Sequence, residues 1–266
     1  MTSAGMIGSL IAPWIKNNEI FDATSVKNRD NTFGPYLALK NAFEKKSITL
    51  NTSELNLSFN PQFELHQDIQ KLGNANFSYL LMFETPMIRA KSASRKLLAP
   101  YRRVFTWDDG LVDGDRYLKI NFPNVLAIPS GDGFQDRDRF CCLMAGNKGI
   151  TKSDPRNLYP ERISAIRWFE VNAKNDFDLY GPGWKLPAKR SGFLGRIINL
   201  LSRLIYPHLK LTAFPSYRGM LKNKSDALLH TRFAICYENV RDLPGYITEK
   251  IFDGFLSGCV PVYWWG

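Results

Sequence analysis

The sequence predicts an α/β protein built on parallel sheets and divided into two domains. Residues 233–264 read as a strand, a polar loop, an amphipathic helix and a second strand with no slack between them. Strand-type runs and helical stretches also share the first half of the chain. At 266 residues with 44% hydrophobic content, the chain is long and apolar enough to bury two cores. A strand–helix–strand unit of this size is most simply a right-handed parallel crossover, and ligands of such sheets sit at the carboxyl ends of the strands.

Taken in order, residues 1–14 (MTSAGMIGSLIAPW) have no basic leader and only a brief apolar stretch, so no signal peptide is expected. A helix near residues 36–45, a short strand at 48–50, and strands at 79–83, 104–107 and 125–128 make a first domain over residues 1–130. The polar, glycine-containing stretch 130–139 (SGDGFQDRDR) supplies a linker, placed at 131–139, and residues 140–266 form the second domain. There, Ile163, Ile166 and Phe169 recur at helical spacing within 160–172, and a strand follows at 177–180. Residues 188–210 place Phe193, Ile197, Leu200, Leu201 and Leu204 on one helical face, with Lys189, Arg190, Arg196, Arg203 and Lys210 around it. That profile suits an interfacial helix on an anionic membrane, or a helix packed on its own domain. A strand is expected at 233–237. Ile247, Ile251 and Phe255, with Phe252 and Leu256 beside them, then give a helix one apolar face, Gly258 stops it, and a strand follows at 260–264.

The carboxyl end of this last crossover holds Glu238, Asn239, Arg241, Asp242, Tyr246, Thr248, Glu249 and Lys250. A helix start presents unpaired N–H groups and the positive end of the dipole, so an anion is at home beside Thr248 to Lys250, and Lys250 adds a full charge. Glu238, Asn239 and Glu249 repel or ignore phosphate but suit sugar hydroxyls, which donate as well as accept. The mixture points to a sugar nucleotide. The ordinary reading is that Thr248 and Glu249 only cap a helix and that Lys250 is a solvated charge.

Tyr237-Glu238-Asn239, then Tyr246-Ile247-Thr248-Glu249-Lys250, then Val260-Pro261-Val262 resemble, in order and spacing, the donor-binding signature of the α-1,3/1,4-fucosyltransferase family. Residues 223–239 (NKSDALLHTRFAICYEN) resemble that family's approach to this strand. Residues 140–147 (FCCLMAGN) look like its first donor-domain strand, ending at Asn147. Residues 180–184 (YGPGW) resemble its glycine-rich turn. Arg218, in SYRG, stands where the family places an arginine on the donor diphosphate. The resemblance implies two Rossmann-like domains facing a cleft (GT-B type), with the second domain incomplete because relatives continue past the strand that precedes Gly266. It implies an inverting transfer of fucose from GDP-fucose to a hydroxyl of a glycan acceptor, such as a surface polysaccharide or lipopolysaccharide precursor, with no divalent metal required. Donor contacts would come from Asn147, Arg218, Glu238, Asn239, Tyr246, Thr248, Glu249 and Lys250. The general base would be Glu84, which follows the strand at 79–83 in FETP. The alternatives are a truncated, non-catalytic sugar-nucleotide-binding remnant, and a basic peripheral membrane-binding protein.

The net charge of +10 permits anionic partners. Nucleic acid is not expected, because no recognition module is present and aromatics are not interleaved with the basic residues. Asp113-Gly-Asp115, Asp136-Arg-Asp138 and Asp176-Phe-Asp178 imitate a metal motif but lack partner ligands, so they read as loops and caps. His66, His208 and His230 share no zinc spacing with Cys141, Cys142, Cys236 and Cys259, which read as reduced core residues of a cytoplasmic protein with peripheral contact at the membrane's cytoplasmic face.

Overall fold

The computed structural model describes residues 5–73, 77–125, 134, 136–150, 154–190, 192–209 and 213–264. Its elements are β1 (Met6–Ile11), α1 (Gly34–Glu44), β2 (Ile48–Thr52), β3 (Phe63–Gln67), β4 (Phe77–Met82), α2 (Arg95–Leu98), β5 (Arg103–Thr106), β6 (Tyr117–Lys119), β7 (Arg139–Met144), α3 (Tyr159–Asn172), β8 (Phe177–Tyr180), α4 (Gly192–Leu209), β9 (Tyr217–Gly219), α5 (Ser225–Leu228), β10 (Thr231–Ile235), α6 (Glu249–Leu256) and β11 (Val260–Val262), joined by short 3₁₀ turns. They form two compact units. One is Met1–Val125 with Pro244–Tyr246, and the other is Leu126–Leu243 with Ile247–Gly266.

The first unit carries a six-stranded sheet of order β2-β1-β3-β4-β5-β6, every pairing parallel. Leu10, Leu50, Phe63 and Leu65 from its strands join Ile15, Ile20, Phe33 and Tyr36 in one core. Leu80, Met82, Val104 and Tyr117 pack with Leu98 and Tyr101 in another. Strand β1, second from the sheet edge, went unread in the sequence because Gly8 and Ser9 dilute its apolar run. Its close fit explains Gly8, since a Cβ there would lie 2.2 Å from the Phe63 ring. Strand β3 was also missed, because Glu64 and His66 look like surface residues. They are instead a buried pair, with His66 Nε2 3.0 Å from Glu64 Oε2. The strand expected at 125–128 lies outside the described residues beyond Val125.

The second unit has a five-stranded parallel sheet of order β11-β10-β7-β8-β9. Read from its far edge, this is the mononucleotide-binding order of doubly wound folds, with the reversal of strand order between β7 and β10. The crossover expected at 233–264 is present: β10 and β11 are parallel and α6 connects them. The strand expected at 233–237 is shifted two residues earlier, to Thr231–Ile235, because its ladder with β7 begins with Thr231 opposite Arg139. The core gathers Cys141, Leu143, Ile166, Phe177, Leu179, Trp184, Phe214 and Ile235. All four cysteines are buried and free, and burial pushes the Cys141 and Cys236 thiols up to about 12. Much of the linker expected at 131–139 lies outside the described residues, but Arg137 is not linker-like. Its buried guanidinium donates to the carbonyls of Leu228, Thr231 and Ser257, stapling the ends of α5 and α6 to the start of β10.

Candidate functional site

In an open parallel sheet the ligand crevice lies outside the carboxyl ends of the strands, where their order reverses. In the second unit that point is flanked by the segment after β7, which contains Asn147, and by the segment after β10, which contains Glu238 and Asn239. Helix α6 begins shortly after the second of these.

Glu238 organises the site. It is fully buried, and a carboxylate taken from water must be matched by donors. Thr248 donates its backbone N–H at 2.8 Å and its hydroxyl at 2.8 Å to Oε1. Lys250 Nζ stands 2.7 Å from Oε2, and the Tyr263 hydroxyl donates to Oε1 at 3.2 Å. Lys250 also donates to Thr248 Oγ1 at 2.6 Å. The Tyr263 phenol is pushed well above its ordinary value by burial and by the adjacent Glu238 charge. Glu249 is held below its ordinary value; burial would raise it, and Lys250 and Lys224 outweigh that.

Thr248 occupies the position preceding α6 with an extended backbone, as a helix cap should, yet its side chain does not cap this helix. The Thr248 hydroxyl is turned to Glu238 instead. The Glu249 amide is bonded by Glu249's own carboxylate, but Thr248 takes none of the opening amides of α6, so the helix start keeps an affinity for an anion. Lys250 has three N–H donors. Glu238 and Thr248 engage two, leaving one for a ligand oxygen, while Glu238 and Glu249, whose Oε1 lies 4.0 Å away, together offset its charge.

The other expected site residues take different places. Asn239 is clamped by α3: its carbonyl accepts from Leu158 N–H at 3.1 Å and its Oδ1 from Arg162 at 3.0 Å. The Asn147 amide is buried and engaged in holding its neighbouring loop. It donates to the carbonyls of Gly183, Leu186 and Pro187, and accepts from Lys189 N–H. Arg218 is on β9, three strand spacings from β10, or about 14 Å across the sheet. Its Nε donates to Asp178 Oδ1 at 2.7 Å, and Arg139 holds the other oxygen of that buried carboxylate. Lys250 and the start of α6 therefore meet, while Arg218 is drawn to Asp178 because a buried carboxylate needs cationic partners. Asp178 is accordingly a strand residue in an ion-pair cluster, not a loop or cap residue.

Tyr246 belongs to the first unit, where it is buried with its ring 4.8 Å from that of Trp107. Gly245 beside it has φ +85°, and a Cβ there would lie 2.1 Å from the Trp107 carbonyl oxygen. Glu84, also in the first unit, follows β4 as expected. Asp68, itself buried, fixes its backbone by accepting from Phe83 N–H at 2.9 Å and Glu84 N–H at 3.0 Å. Sequence reasoning missed Tyr263, Arg162 and the Arg139–Asp178 pair. Only the aromatic run at the end of the chain hinted at the first, and nothing local hinted at the others.

No family model matches the chain. Over 44 residues, which are 16% of this chain and 9% of the relative, it is 43% identical to the α-(1,3)-fucosyltransferase FucT of Helicobacter pylori. A crystal structure of an α1,3-fucosyltransferase aligns with 100% of this chain and 69% of its own at 18% identity, with a TM-score of 0.51. An α-glucosyltransferase in complex with UDP and a 13-mer DNA aligns with 98% of this chain and 79% of its own at 8% identity, with a TM-score of 0.54. The two structures establish the fold as the α/β, two-sheet type of GT-B glycosyltransferases. The local identity supports a relationship to the fucosyltransferases over that segment.

Proposed function

We propose that this chain is an inverting glycosyltransferase that moves fucose from GDP-fucose to a hydroxyl of a glycan acceptor, of α-1,3/1,4 type, without a divalent metal. The observation that carries the reading is the start of α6, which Thr248 leaves uncapped, set beside the Glu238–Thr248–Lys250 network where the second sheet reverses its strand order. A helix that needed only a cap would use its threonine as one.

Glycosyl transfer leaves negative charge on a diphosphate, and fixed donors aimed at that charge lower the barrier. The α6 amides and the remaining Lys250 proton are such donors. Glu238 holds the lysine in place, so little reorganisation is needed when the ligand arrives. Arg218 adds a full charge if it turns from Asp178 to the diphosphate, a rotation that leaves Asp178 paired with Arg139. Glu84 serves as the general base that takes the acceptor proton.

Calorimetry with GDP and GDP-fucose, beside a transfer assay in the presence of a chelator, tests the proposal. The wild-type chain binds both nucleotides and transfers fucose with chelator present. Arg218→Ala weakens binding about tenfold, the scale of one charge-assisted contact. Glu84→Gln binds normally and does not transfer. Absence of GDP binding refutes the reading. Binding without transfer by the wild-type chain would leave a sugar-nucleotide-binding module, and normal transfer by Glu84→Gln would remove the base.

A further inference from the structure

Helix α4 is built inside out. A crossover helix between adjacent parallel strands normally turns its apolar stripe to the sheet. Between β8 and β9 that role falls to Trp184 and Phe214, which flank α4 in sequence, are buried, and meet edge to face at 5.0 Å. No residue of α4 belongs to a described core cluster. Its less exposed positions are Gly195, Asn199, Ser202 and Tyr206, which share one edge at 100° per residue. The opposite face is apolar and open: Phe193 is 76% exposed, Leu194 73%, Leu204 60% and Leu200 59%.

Charge identifies what covers this face. The sequence has no acidic residue between Asp178 and Asp226, and five lysines and four arginines fall in that interval, so it carries nearly the whole net charge of +10. Lys189, Arg196 and Arg203 line one cavity of about 330 Å³ with Leu186, Pro187 and Leu200 at the margin of the apolar face. Among the described residues none of these three cations has an ion-pair partner. A second protein copy would bring its own cations against these. An anionic bilayer offers hydrocarbon to the leucines and phosphates to the cavity at one depth. No helix among the described residues is long and apolar enough to cross a membrane, which fits a helix lying in the interface.

We propose that α4 docks this chain on an anionic phospholipid surface, with the Phe193–Leu204 face among the acyl chains and Lys189, Arg196 and Arg203 on the headgroup phosphates. The inference does not rest on the proposed transfer reaction, and its readout contains no sugar nucleotide.

Co-sedimentation with phosphatidylcholine vesicles, alone or with about 30% phosphatidylglycerol, tests it. The chain sediments with the anionic vesicles and stays in solution with the neutral ones. Leu200→Glu/Leu204→Glu and Arg196→Glu/Arg203→Glu each lower partitioning at least about tenfold, with unchanged circular dichroism because all four side chains are exposed. Three results would overturn the proposal. The leucine variant could bind anionic vesicles as well as wild type, which would make the attraction one of charge alone. The chain could be a dimer that the leucine variant dissociates, without vesicle binding. It could bind duplex DNA in an Arg196- and Arg203-dependent way while ignoring vesicles.

Discussion

Replacing Lys250 by methionine removes the only cation that, among the described residues, pairs with Glu238 within 4 Å, while keeping most of the side chain's bulk. Glu238 is fully buried and retains three donors, the Thr248 amide and hydroxyl and the Tyr263 hydroxyl, all neutral. At 2.7 Å and an effective dielectric near 20, the direct attraction is about 6 kcal/mol. Part of that is offset by desolvating the ammonium, which is about one-fifth exposed. Measured losses on removing one member of a buried pair run to about 3–5 kcal/mol, and Lys250→Met should fall at the lower end, about 3 kcal/mol. Urea unfolding followed by circular dichroism reads this as a lower midpoint at unchanged slope. Glu238→Gln in the same chain should restore about 2 kcal/mol, because the uncompensated charge is then gone, and the double-mutant cycle should give a coupling of that size. A Lys250→Met chain within about 0.5 kcal/mol of wild type, or a coupling near zero, would refute the network as described. The proposed anion site would then lose the rigid lysine on which it depends.

Gly245→Ala should destabilise the first unit by about 2–4 kcal/mol, since a β-carbon is strained at φ +85° and would overlap the Trp107 carbonyl; thermal unfolding with tryptophan fluorescence checks it. His66 is held below its ordinary value by burial, against Glu64, which would raise it. The unfolded chain therefore binds the extra proton first, and stability is full above about pH 6.5 and falls as pH drops below it, by at most about 1.4 kcal/mol per pH unit. Unfolding between about pH 5 and 6.5 should show that limb, and His66→Gln should flatten it. Asn147→Ala should cost about 1–3 kcal/mol and speed hydrogen exchange in residues 183–189, because three backbone carbonyls lose their donor. A large loss of GDP affinity with no loss of stability would instead make Asn147 a ligand residue.

Local pattern carried much of this protein. The apolar spacing over residues 247–256 points to α6, although the helix starts only at Glu249, leaving Ile247 outside it and Phe255 exposed; the β-branched and aromatic runs beside it specify β10 and β11, and their tight succession requires a parallel crossover. The chain bears all three, and likewise α1, α3 and the amphipathic α4. A helix or strand period is a property of neighbours in sequence and can be read there. Only the tertiary structure decided which polar groups are buried and whom they meet. Glu64 and His66 hid β3 because each is polar alone and tolerable in a core only as a pair. Arg137 looked like linker and is a staple, since its carbonyl partners lie far along the chain. Lys250 was legible as a cation at a helix start, but not as the partner of Glu238, nor Arg218 as the partner of Asp178. Local spacing likewise shows that α4 has an apolar face but not its direction; in the tertiary structure Trp184 and Phe214 occupy the core, and that face is exposed. Burial and ion pairing depend on contacts made across the chain, and no local period encodes them.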